Sequence, residues 1–180
     1  AVLAVVMPPA SIGARSPRPG APAAEAHAPA AAPAIRHADF GNETPTGDVR
    51  QLANWSATTG DHKNLNFIIL DKKDARVWVF DPANHLIAQS PVLLGYAVGD
   101  DNVPGIGNKP ISEVKPEERT TGAGRFIAEM GMNTRNEDVV WVDYNAAVSM
   151  HRVLTTNPDE RRLERDRVAR DPHERLLVDE

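Results

Sequence analysis

Between residues 64 and 153 the chain is a succession of short apolar runs, each closed by Gly, Pro, Asp or Asn. Runs of this length with β-branched and aromatic residues read as strands, and turns this tight join strands that pair antiparallel. Residues 65–70 and Arg76–Phe80 flank a turn at 71–74; in the second run Val77 and Val79 alternate with Trp78 and Phe80. That alternation gives the strand two apolar faces. Asp81-Pro82-Ala83-Asn84 has the chemistry of the next turn, with Pro at its second position. A third strand is expected at 85–89 and a fourth at 91–98, with Gly95 as a bulge or a point of close backbone approach. Further strands are expected at 125–128 and 139–144, separated by a polar turn. A second apolar run, 146–150, ends on His151. Segment 121–153 therefore sets a titratable side chain behind more core-forming sequence than any other part of the chain. The fold class expected is mainly β, a single antiparallel β-rich domain over residues 64–155.

The flanks read differently. Residues 48–60 suit one short helix, with Asp48 as N-cap and Gly60 as the stop. Its narrow apolar face would be Val49, Leu52 and Trp55 or Ala53, with Trp55 packing the helix on the domain. Residues 1–40 read as lying outside the fold. The apolar stretch 1–14 resembles the tail of a secretory signal peptide with cleavage near Ala14. The Ala/Pro tract 16–34 reads as a semi-extended tether. Residues 156–180 mix charges of both signs at close spacing. They read as an exposed tail, with a sparse helix from Asn157 or Pro158 through Arg170.

Charge and composition exclude several functions. The net charge is −5 and aromatics make up 5% of the chain, so neither a basic field nor stacking surfaces point to nucleic acid. No apolar run approaches the ~20 residues of a membrane-spanning helix. With no cysteine there is no disulfide, no thiolate metal site and no thiol nucleophile in this chain. Gly105-Ile106-Gly107 lacks the Lys-Ser/Thr ending of a phosphate loop and reads as a turn. It lies in a long polar loop, 99–118, of the kind that serves as a flap over a groove. That loop carries Asp100, Asp101, Glu113, Glu117 and Glu118, at spacings that match no EF-hand, so solvated carboxylates are expected. His62, His85 and His151 follow no ligand spacing, and Ser149 near His151 has no evident acidic orienter. No metal or other cofactor is expected.

The order Thr121-Gly122-Ala123-Gly124-Arg125-Phe126, then a buried strand, then His151 and a charged segment resembles the L,D-transpeptidase catalytic domain. The similarity spans about residues 64–163. In that family the turn reads T-P-x-G-x-F, and the motif histidine precedes a short S/T-H/Y-G-C segment carrying the catalytic cysteine. Gly122 stands in place of the proline, and the cysteine segment is absent. The resemblance implies an exported protein of the periplasm or cell envelope whose partners are peptidoglycan stem peptides. It implies acyl transfer through a cysteine thioester, with His151 as the catalytic histidine. Without the nucleophile the expectation is an inactive transpeptidase-like domain, incomplete at its catalytic end; the alternative is a non-catalytic cell-wall-binding module. The similarity stops near Arg165, as a truncation or a change of reading frame there would make it.

Overall fold

The computed structural model describes residues 2–6, 34–154, 158 and 161–162, and for residues 2–6 the backbone alone. Its centre is a five-stranded sheet. The strands are β1 (Val2–Val6), β2 (Phe67–Asp71), β3 (Arg76–Phe80), β4 (Leu86–Pro91) and β5 (Gly124–Ile127), in the spatial order β4-β3-β2-β1-β5. A second sheet has three strands in the order of the chain: β6 (Glu129–Met132), β7 (Asp138–Asp143) and β8 (Val148–Met150). One helix, α1 (Gly47–Thr59), precedes β2.

The alternation in β2 and β3 explains the layering. Phe67, Ile69, Trp78 and Phe80 face one way and close a core with Ala38, Phe40, Val49 and Ala53, the last two from α1. Phe67 stacks on Phe80 at 4.7 Å, and Phe40 meets Trp78 and Phe80 edge-on. Leu70 and Val77 face the other way and pack with Ala128 and Val142, flanked by Ile68, Val79, Phe126, Val140, Val148 and Met150. The central sheet is thus covered by the helix on one face and by the second sheet on the other. The expected β-rich character, the two-faced strand and the turns at 71–74 and 81–84 are all present.

Several expectations change. Among the described strands every pairing is antiparallel except β1 with β5, which run parallel, so the central sheet is mixed. Val2–Val6, read from sequence as outside the fold, lies inside the sheet between β2 and β5. Main-chain pairing accepts any extended run, and a Val-rich run suits it well. Residues 38, 40 and α1 also build the core on this sheet. The helix begins one residue before Asp48, because the Thr46 hydroxyl accepts from the Val49 N–H at 3.3 Å. Gly60 ends it as expected, in the left-handed region at φ 66°. The helix buries Val49, Ala53, Ser56 and Ala57, and this rotation leaves Trp55 45% exposed instead of packed.

No strand forms over 92–98; β4 ends at Pro91, which cannot extend a ladder through an N–H it lacks. Gly95 instead crosses the chain at Arg119, where a Cβ would stand 2.1 Å from the Arg119 carbonyl oxygen. Close approach at Gly95 was legible; the strand around it was not there. Residues 129–132, read as part of a polar turn, form β6, held by β7 although Glu, Met and Gly are weak strand formers. The cleavage position near Ala14, the tether 16–34 and the helix expected through Arg170 lie outside the described residues, apart from Ala34, Pro158, Arg161 and Arg162. No described helix is long and apolar enough to cross a membrane.

Candidate functional site

Turn 121–126 is tied down residue by residue. The Thr121 Oγ1 accepts from the Gly95 N–H at 2.7 Å, and the Gly122 N–H donates to Asn102 Oδ1 at 3.2 Å. The Ala123 N–H donates to the Asp100 carbonyl at 2.7 Å. All three partners belong to the stretch that leaves β4, so the turn and the long loop are built as one piece. Lys72, in the turn between β2 and β3, fixes that loop from below. Its Nζ donates to the Gly99 carbonyl at 2.5 Å and to Asp100 Oδ1 at 2.7 Å, with the lysine side chain only 10% exposed. The Lys72 hydrogen bond holds the Asp100 carboxyl below its ordinary range.

The loop itself carries three short 3-10 turns, Ile106–Asn108, Ile111–Glu113 and Pro116–Glu118. Gly105-Ile106-Gly107 is a turn, as expected, with Gly105 left-handed at φ 75°. Two of the loop's acidic residues also serve as anchors, Asp100 while its side chain stays 61% exposed. Asp100 binds Lys72; Glu118 binds Lys109 Nζ at 2.8 Å and accepts the Lys115 N–H at 2.9 Å. No group of three metal-ligating side chains occurs among the described residues.

Past the turn, Arg125 Nε donates to Asp61 Oδ2 at 2.7 Å, which raises the already high guanidinium pKa. Phe126 turns inward onto the core shared with the second sheet, where Val148 and Met150 of β8 also pack. The turn and the strand that ends at His151 are thus coupled through one apolar layer. His151 itself is exposed just beyond β8. Its Nδ1 lies 2.6 Å from the Arg152 carbonyl oxygen. A carbonyl only accepts, so Nδ1 is the donor, and in the neutral imidazole the lone pair falls on Nε2.

Arg152 is held in turn. Its guanidinium binds the Glu137 carboxylate, whose other oxygen accepts from Asn133 Nδ2 at 3.0 Å. The Asn133 side chain also accepts the Arg135 and Glu137 N–H groups, shaping the turn between β6 and β7. The Asn133 hydrogen bond, then Arg152, hold the Glu137 carboxyl below its ordinary range.

The other candidates lie elsewhere. His62 is buried against Phe67, with Nδ1 3.3 Å from the Ser56 carbonyl and Nε2 3.3 Å from that of Pro82. His85 is exposed and pairs with Asp81 at 3.1 Å. These two and His151 therefore converge on no common point. Ser149 pairs across the sheet from Trp141, and no hydrogen bond among the described residues joins it to His151. The arrangement offers an exposed imidazole past β8, a braced turn linked to that strand through one apolar layer, and no described nucleophile bonded to the imidazole. Sequence reasoning missed Lys72, Asn102, Glu137 and Arg152. Lys72 and Asn102 looked like ordinary turn and loop residues, and the Glu137–Arg152 pair joins the two ends of the β7–β8 hairpin, a contact that local pattern does not show. No protein-family model, curated protein or solved structure matches the chain.

Proposed function

We propose that this chain is an L,D-transpeptidase-like domain of the cell envelope, directed at peptidoglycan stem peptides, which forms no acyl-enzyme because it carries no cysteine. The observation that carries the reading is His151, whose Nδ1 bonds a main-chain carbonyl, at the end of a strand linked to the braced turn 121–126 through the layer of Phe126, Val148 and Met150. In cysteine-bearing members a thiolate attacks a peptide carbonyl of one stem and expels the downstream amine, and the amine of a neighbouring stem then displaces the thiolate from the thioester. An adjacent histidine is needed because the thiolate, not the thiol, is the nucleophile. Nε2 of His151 is the nitrogen able to accept the thiol proton and later return it. Without sulfur, that nitrogen can assist only water, a contribution of typically ~10²–10⁴-fold in a formed site.

The absence of the nucleophile beside an ordered turn also favours a second reading, a module that binds cell-wall peptide without turning it over. Both readings require export, since their ligand lies outside the cytoplasmic membrane. The test incubates the chain with a tetrapeptide stem and an acceptor stem, following acylation by intact mass and cross-linking by chromatography. The unmodified chain should give neither product. A chain with a Ser-Tyr-Gly-Cys segment grafted after Arg165 should give both, and His151→Ala in the graft should remove both. Cross-linking by the unmodified chain, or by the graft without His151, overturns the assignment. Retention on purified peptidoglycan by the unmodified chain supports the binding module, and its loss in the flow-through sinks it.

A further inference from the structure

We propose that the gap between β2 and β5 is a binding site for an extended apolar peptide strand, filled here by Val2–Val6 as an exchangeable insert. The inference rests on the sheet alone and is independent of the acyl-transfer reading.

Three observations carry it. First, β2 is in no position to be a free edge. With Val2–Val6 in place, Phe67, Ile69, Leu70 and Asp71 are all buried, and the other side of β2 is paired to β3. An edge there would leave unpaired N–H and C=O groups in an otherwise buried strand. Second, β5 is joined to the central sheet through β1 alone. Whatever occupies the gap thus decides whether Gly124–Ile127, and with it turn 121–126, belongs to the sheet. Third, the occupant is covalently remote from the strands that hold it. Residues 7–33, which include the Ala/Pro tract, separate it from the rest of the described chain.

The geometry also states what the gap takes. Val2–Val6 pairs with β2 over five positions, Val2 opposite Asp71 through Val6 opposite Phe67. It pairs with β5 over four, Leu3 opposite Gly124 through Val6 opposite Ile127. Recognition through main-chain pairing tolerates many sequences but demands direction and extension, so the ligand runs parallel to β5 and antiparallel to β2. On β2, Phe67 and Ile69 point to the helix-side core and Ile68 and Leu70 to the other. On its β2 side a strand in the gap is flanked by apolar side chains on both faces, while β5 presents exposed Gly124, Arg125 and Ile127 and half-buried Phe126. The ligand class is therefore an uncharged run of about five residues, apolar at successive positions where it meets β2. Proline is excluded from its interior, because each internal N–H faces a partner strand.

The experiment uses the full chain with a specific protease site introduced between Gly20 and Ala21, cut only after folding. A fluorescent peptide spanning residues 1–7 is then added, and its anisotropy and the hydrogen exchange of β5 amides are followed. The cut protein should take up the labelled peptide saturably while its β5 amides stay protected. The uncut protein should bind at least about tenfold more weakly, because the tethered strand competes at high effective concentration. The same peptide with Ala4→Pro should not bind. Equal binding to cut and uncut protein would place the peptide on an outer edge and overturn the proposal. Permanent retention of the original fragment with no uptake would overturn its exchangeability. Release of the fragment with β5 still protected and no uptake would show that the gap is not a binding site.

Discussion

Gly95 shows how much can depend on one missing methyl. Its Cα passes so close to Arg119 that a Cβ would lie 2.1 Å from a carbonyl oxygen and 2.9 Å from its carbon. The same carbonyl accepts the Ala97 N–H at 3.1 Å, so the backbone there is held from both sides. Gly95→Ala should cost ~1–3 kcal/mol through forced separation of the two segments. A urea titration should show a lower midpoint at unchanged slope; an unmoved midpoint would mean that the loop yields freely. The carboxylates give the second prediction at this scale. Asp100, Glu118 and Glu137 all have folded-state pKa values lowered by hydrogen bonds from Lys72, Lys109 and Asn133 respectively. A lowered carboxylate stabilises the fold above its unfolded value, and that contribution disappears as pH falls through the folded one. With unfolded values of about 3.9 for Asp and 4.3 for Glu, the melting temperature should hold near neutrality and decline below about pH 4. Asp100→Asn with Glu118→Gln should flatten that decline. Parallel curves for variant and parent would show that these pairs are energetically silent.

Among the elements, α1 separates what sequence pattern can reveal from what it cannot. The stop at Gly60 was legible because a left-handed C-cap leaves a residue signature. The start was not, since Thr46 and Asp48 are both good caps and the choice depends on a distant residue. Thr46 Oγ1 also donates to Asp71 Oδ2 at 2.7 Å, and Asp71 Oδ1 accepts the Lys73 and Asp74 N–H groups. One buried carboxylate thereby joins the helix start to the β2–β3 turn. Thr46→Ala should lower stability by about 1–2 kcal/mol, read from thermal melts. Trp55→Ala should change it by no more than about 0.5 kcal/mol, as for most surface positions. Reversed sizes would restore the packing role that the sequence suggested for Trp55. Strand β3 was legible because its alternation places Trp78 and Phe80 on one face and Val77 and Val79 on the other. Strand β6 was not, because Glu129-Met130-Gly131-Met132 has no β-branched residue. Its place comes from β7, whose Trp141 side chain fills the space a Cβ on Gly131 would need.

In the molecule as a whole, two cores share one sheet, and they are unequal. The helix-side core holds the largest fully buried side chains, Phe67, Phe80, Ile69 and Val49. Phe80→Ala should cost ~3–5 kcal/mol, the usual range for a buried aromatic. A cost below 1 kcal/mol in chemical denaturation would show that this layer is not the stabilising one. The other core links turn 121–126 to the strand ending at His151, and that coupling was invisible in sequence because it is a contact between sheets. So was the parallel pairing of the first strand with the fifth, since local pattern carries no information about a partner so far along the chain. That pairing bears on how the molecule is made. Leu3 lies opposite Gly124, so the ribosome produces one side of the pair early and the other only after most of the chain has emerged. At about 5–20 residues per second, the nascent sheet carries an open side for roughly ten seconds in each round of synthesis. Through that interval its protection against pairing with a neighbouring chain must come from outside the fold.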